Sequence, residues 1–165
     1  MTTESTESTV GRRIPETLEG ARSGRADLHA YMNLLEQAVA KPVPGRSAEW
    51  AKQVHETLVE LGASLERHIA ITEGPGGLFE EITEAAPRLA GGVRKLAEEH
   101  QQVRDALARS IDAVRDRSSL VEGGANGDDD GREAVNELIA LMIRHRQRGA
   151  DLIYEAYHVD VGVGD

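Results

Sequence analysis

The residues best suited to chemistry are the histidines, because the 165-residue chain contains six histidines and no cysteine. Four of them lie on or beside apolar stripes that have the three- and four-residue spacing of a helix face. A buried imidazole needs partners for its ring nitrogens, and an unpaired one costs about 1–3 kcal/mol. A divalent metal ion would satisfy several at once, whereas the alternative is a set of unrelated core histidines. The four are His29, His68, His100 and His145.

The apolar stripes also predict the helices that must position these histidines. We expect long helices over about residues 21–40, 47–73, 87–117 and 132–157, with a short helical turn over 78–85. Proline and glycine interrupt the pattern at 42–45 and 74–77, and an acidic, glycine-rich loop is expected over 123–131. No strand-like alternation of useful length occurs. The sequence therefore predicts an all-α fold, an antiparallel up-down four-helix bundle.

Domain organisation follows from where the apolar periodicity begins and ends. Residues 1–20 lack it and are predicted to form a disordered N-terminal tail. The bundle is expected over residues 21–160, and residues 161–165 are expected to form a flexible tail.

Composition narrows the function classes. The net charge of -10 argues against nucleic acid and anionic membrane surfaces as partners. No apolar run approaches the ~20 residues needed to cross a bilayer, and the first residues do not resemble a signal peptide, so a cytoplasmic location is expected. Because cysteine is absent, any metal must be held by histidine nitrogen and carboxylate oxygen.

Three segments around the histidines resemble the hemerythrin-like, or HHE cation-binding, family. Residues 67–79, 96–100 and 145–157 are similar to the second, third and fourth helices of that family, and one histidine per helix is its arrangement. The resemblance implies a hemerythrin-like bundle with non-haem iron, expected as two ions, that binds dioxygen or nitric oxide for sensing, storage or detoxification. Zinc and manganese suit the same ligand types and stay open as alternatives.

The resemblance also implies a ligand set, although the second ligand of each helix motif is displaced. Thr72, Arg104 and Ala150 stand where the family has a glutamate, a histidine and an aspartate, and a carboxylate follows each of them by one residue. The family's helix-four motif has a five-residue spacing, which Glu73 and Asp105 share with their histidines, and Asp105 is left open as a ligand. The metal ligands implied are His29, His68, Glu73, His100, His145 and Asp151. The sequence does not determine whether the carboxylates Glu73 and Asp151 are ligands.

Two other functions are also compatible with the sequence, which does not determine whether the chain is an enzyme. One is an iron-dependent peroxidase or oxygenase, which turnover of peroxide or an organic substrate would reveal. The other is a metal-free helical interaction module, which would gain no stability from iron. Metal identity, the number of ions, the physiological ligand and the oligomeric state are not determined by the sequence.

Overall fold

Five helices account for most of the chain in a computed structural model that describes residues 16–41, 46–118 and 126–158. In chain order they are α1 (Glu16–Ala40), α2 (Ser47–Glu73), the short α3 (Leu78–Ala85), α4 (Ala90–Ser118) and α5 (Asn126–His158). A 3-10 turn, Pro87–Leu89, leads into α4. The described ranges contain no strand, and the predicted all-α class is confirmed. None of the helices described is long and apolar enough to cross a membrane.

The four long helices run antiparallel to their neighbours. Near one end of the α1–α2 pair, the indole Nε1 of Trp50 donates to the carbonyl of Ala38 at 2.9 Å. Near the other end, Gly24 of α1 lies against His68 of α2. Helices α4 and α5 are antiparallel as well, because His100 contacts His145 whereas Ser110, later in α4, contacts Ala134, earlier in α5. Helix α1 packs on α2, α2 on α4, α4 on α5, and α5 on α1. This closed ring is the predicted up-down four-helix bundle.

Two helix starts differ from the prediction. Helix α1 begins at Glu16, so residues 16–20 belong to the helix rather than to the predicted tail. Leu18 and Ala21 are buried in a cluster that includes the apolar residues of α3. Arg25 interrupts the apolar stripe between these two residues and Leu28. Helix α5 begins at Asn126, so residues 126–131 of the predicted acidic loop are helical. The expected tail over 161–165 and residues 1–15 lie outside the described residues.

The turn after α2 is built from glycine and proline, as the sequence predicts. The Gly74 N–H donates to the carbonyl of Ala70 at 3.1 Å, and Gly76 has a φ of 68°, in the left-handed region that favours glycine. At Gly77 a Cβ would lie 2.7 to 2.8 Å from three carbonyl oxygens at the end of α2 and in the turn. The lack of a side chain here lets α3 fold back across the end of the bundle.

The buried apolar residues form two clusters along the bundle. The larger one includes Leu65 of α2, Val103 of α4 and Met142 of α5. The smaller one includes Leu96 and Leu152, together with buried residues of α3. Each histidine lies three residues from Leu65, Val103 or Met142 of the larger cluster, and His100 lies four residues from Leu96 of the smaller one. The histidines therefore form a polar layer between two apolar clusters.

Candidate metal centre

Three of the four histidines predicted to bind a metal lie close together in this polar layer. His68, His100 and His145 come from α2, α4 and α5, and one ring nitrogen from each lies within 4.8 Å of the others. Their ring centroids are 4.6 to 5.8 Å apart. His68 and His100 are buried, and the side chain of His145 is only 12% exposed. The helices therefore bring three imidazoles from separate elements to one level.

The rings of His100 and His145 direct their Nε2 atoms at each other, 3.1 Å apart. Their Nδ1 atoms face carboxylates: Glu73 bonds His100, and the Oε2 of Glu99 lies 3.2 Å from Nδ1 of His145. An ionised carboxylate can only accept, so each Nδ1 donates its proton and each neutral ring keeps a bare lone pair on Nε2. Two lone pairs that face each other at this distance repel unless a cation lies between them.

The distance between these nitrogens fits a shared ion. Nitrogen ligands lie about 2.0–2.1 Å from zinc, which places two of them about 3.3 Å apart at a tetrahedral angle. The third ring, that of His68, is edge-on to both others, and its buried Nδ1 has no hydrogen-bond partner among the described residues. One nitrogen of this ring lies within 4.8 Å of a nitrogen of each of the other two rings. The donor set and its spacing therefore fit a metal ion.

The protonation state of the cluster also suits a metal. Burial lowers the pKa of His68 to about 3 and that of His100 to about 3, and the neighbouring positive charges add to this effect. Burial likewise lowers the pKa of His145 to about 4. All three imidazoles are neutral at pH 7, which is the form that coordinates metal ions.

The family comparison agrees with this geometry. A family model for the hemerythrin HHE cation-binding domain matches residues 26–157, which is most of the chain. The chain belongs to the hemerythrin HHE family. No match was found among curated proteins or among solved structures. The family is one of cation-binding domains, and among the described residues the three-histidine cluster is a group that could hold the ion.

The structure does not bring the other predicted ligands into the cluster. His29 is exposed on α1, where its Nδ1 lies 3.1 Å from Nη1 of Arg146. It lines a cavity of about 40 Å³ that also reaches His68 and His145. Asp151 is exposed and accepts a hydrogen bond from Gln147 at 3.2 Å. Asp105 is also exposed, and it accepts from Gln101 at 2.9 Å.

Glu73 reaches the site from the outside. Its carboxylate lies on the Nδ1 side of the His100 ring, away from the nitrogens that converge. The side chain is 34% exposed, and burial raises its pKa. Phe79 of α3 stacks on the same His100 ring, with centroids 5.7 Å apart and an interplanar angle of 8°. Glu73 and Phe79 together hold this ring in place.

The positions at which the family carries further ligands are occupied by side chains with other roles. The hydroxyl of Thr72 is buried and donates to the carbonyl of His68 at 2.9 Å, a bond within its own helix. Arg104 makes two hydrogen bonds to Glu66, at 2.6 and 2.7 Å. Ala150 is exposed. None of these three side chains supplies a ligand nitrogen or carboxylate to the cluster.

Glu99 contacts the cluster although the sequence pattern did not single it out as a candidate. It precedes His100 in the chain, yet its carboxylate contacts His145 on the neighbouring helix and forms an ion pair with Arg148. The available signal was the adjacent Glu99–His100 pair, together with Arg148 three residues after His145. That signal becomes informative only when the faces of α4 and α5 that meet are known.

Proposed function

We propose that this hemerythrin domain binds non-haem iron at His68, His100 and His145, and that the centre binds dioxygen or nitric oxide for sensing, storage or detoxification. The observation that carries the proposal is the pair of Nε2 atoms that face each other at 3.1 Å while both Nδ1 atoms are occupied by carboxylates. This arrangement is favourable with a cation between the rings and unfavourable without one.

The proposed ligand set consists of three imidazoles that are neutral at pH 7. When bound, iron supplies a coordination position for a small diatomic ligand. The imidazoles bind the metal in their neutral form, and Glu73 and Glu99 hold two of the rings by their Nδ1 protons. Leu65, Val103 and Met142 line the cavity beside the cluster and make its wall largely apolar. The small, mostly apolar cavity supports a diatomic ligand rather than a large substrate.

The number of ions is part of the proposal. The resemblance leads us to expect two irons, whereas three clustered nitrogens account most directly for one. A second ion would need ligands from the remaining predicted residues, and elemental analysis after iron loading separates the two cases. If two ions bind, His29→Ala and Asp151→Ala lower the ratio from two irons per chain towards one. If one ion binds, both variants keep the wild-type ratio.

The test is anaerobic loading of untagged protein with ferrous iron, followed by elemental analysis and absorption spectra before and after exposure to dioxygen or nitric oxide. We expect stoichiometric iron and new visible or near-ultraviolet bands in the wild-type protein. A variant in which His68, His100 and His145 are all replaced by alanine should lose both. His55→Ala is the matched control, because His55 lies on α2 outside the cluster. Wild-type protein that emerges colourless and free of iron would contradict the proposal.

A further inference from the structure

We propose that Glu99, held by Arg148, is a positioning residue that fixes the ring of His145 with its Nε2 directed at the metal. The inference rests on the proposed metal binding and adds to it a residue outside the ligand set. It concerns the helix pair α4–α5.

The contacts of Glu99 are divided between two residues of α5. Its Oε2 lies 3.2 Å from Nδ1 of His145, and its Oε1 forms an ion pair with Nη1 of Arg148. His145 and Arg148 are three residues apart and therefore share one face of α5, which here meets α4. The side chain of Glu99 is only 12% exposed. One largely enclosed carboxylate thus contacts both the His145 ring and a neighbouring guanidinium.

This arrangement selects one tautomer of His145. An ionised carboxylate offers only acceptors, so the hydrogen bond places the ring proton on Nδ1 and leaves the lone pair on Nε2. The guanidinium of Arg148 pairs with the other oxygen of Glu99, so the carboxylate is held from both sides. A carboxylate behind a ligand histidine fixes the orientation of the ring and increases its basicity. Metal-free protein is therefore already arranged for binding at this ring.

The rings of His100 and His68 have different surroundings from that of His145. Glu99 is the less exposed of the two carboxylates that contact a ring of the cluster. Glu73 occupies the equivalent position behind His100 but is 34% exposed, compared with 12% for Glu99. His68 has no hydrogen-bond partner at its buried Nδ1 among the described residues. Glu98 is exposed and adjacent in sequence to Glu99, so it serves as a matched control.

Two measurements on the full chain test the proposal. Nitrogen-15 NMR of the metal-free protein reports the tautomer of His145, and competition titration with Zn²⁺, a diamagnetic probe, reports metal affinity. We expect wild-type His145 to carry its proton on Nδ1. Glu99→Ala should give a mixture of tautomers and a roughly 10–100-fold weaker zinc affinity. Glu98→Ala should match the wild type in both measurements, and Glu99→Gln, which keeps an acceptor, should recover part of the affinity.

A tautomer and a zinc affinity that are unchanged in Glu99→Ala would overturn the inference. So would a variant that loses folding stability alone and keeps both properties. If Glu99→Ala does not fold, Glu99→Gln and Arg148→Gln carry the same test, and both should weaken zinc binding while Glu98→Ala does not. A wild-type chain that takes up no metal at all overturns the proposed function instead, which is a distinct result.

Discussion

At the scale of single residues, the centre depends on imidazoles kept neutral by burial. An ordinary histidine has a pKa near 6.5 and is partly charged in mildly acidic solution. The pKa of His68 and that of His100 are lowered to about 3, and that of His145 to about 4. The folded protein therefore resists protonation in a range where the unfolded chain accepts protons readily. This difference has a consequence for stability.

We predict that metal-free protein loses stability as the pH falls from 7.5 to 5. Between the folded and unfolded pKa values the unfolded state binds more protons, so the free energy of unfolding rises with pH in this window. The expected loss at pH 5 is on the order of 1–2 kcal/mol for each buried histidine. Guanidinium unfolding at several pH values measures it. Replacing the three histidines by leucine should flatten the dependence, and equal wild-type midpoints at pH 7.5 and 5 would disprove it.

At the scale of elements, α3 matters because it covers the site. It follows the glycine turn directly, places Phe79 on the His100 ring, and is tied to α1 and α5 through Glu81. The Glu81 carboxylate accepts hydrogen bonds from the hydroxyls of Thr17 and Tyr157, the latter at 2.7 Å. The conformation of one turn thus affects the packing against His100, one of the proposed ligands.

We predict that Gly77→Ala destabilises the protein by about 1–3 kcal/mol, because the added Cβ would overlap three carbonyl oxygens. Chemical denaturation gives the change, and NMR of the His100 ring shows whether Phe79 has moved from it. Gly91→Ala is the control, since a Cβ at Gly91 meets nothing within 4 Å. It should be neutral or gain about 0.5–1 kcal/mol through better helix propensity. Equal stability of the two variants would refute the account of the turn.

At the scale of the whole molecule, the histidine layer joins α2, α4 and α5 between the two apolar clusters. Helix α1 packs on α2 and α5 but supplies none of the three nitrogens. An ion bound in this layer cross-links three of the four long helices. Because the cluster is dispersed in the unfolded chain, the ion binds the folded state preferentially.

Metal should therefore raise the thermal midpoint. A ligand at 100 times its dissociation constant adds about 2.7 kcal/mol, which corresponds to roughly 5–10 °C for a chain of this size. Differential scanning calorimetry with and without Zn²⁺ or anaerobic Fe²⁺ measures the shift. A chelator should reverse it, and His145→Ala should abolish most of it. A midpoint unaffected by either metal would count against a site in the folded protein.

Much of this could be predicted from local sequence patterns. The stripe Val54, Leu58, Leu61 and Leu65 predicts the buried face of α2, and all four residues are buried. The same periodicity places His68 and His100 in the core. The sequence pattern places the start of α1 at residue 21 rather than at Glu16, because Arg25 interrupts the apolar stripe and residues 16–20 contain a single large apolar residue, Leu18. Burial of that residue depends on α3, which is distant in sequence.

By itself the sequence determined the helices, their apolar faces and the presence of a histidine on each of three faces, because helical periodicity is a local property. Only the tertiary structure decided that the three rings share one level and that His29 lies outside their cluster. It also decided that Glu99 supports His145. These outcomes depend on the axial offset and rotation of packed helices, and those are set by side-chain interdigitation between segments far apart in the chain.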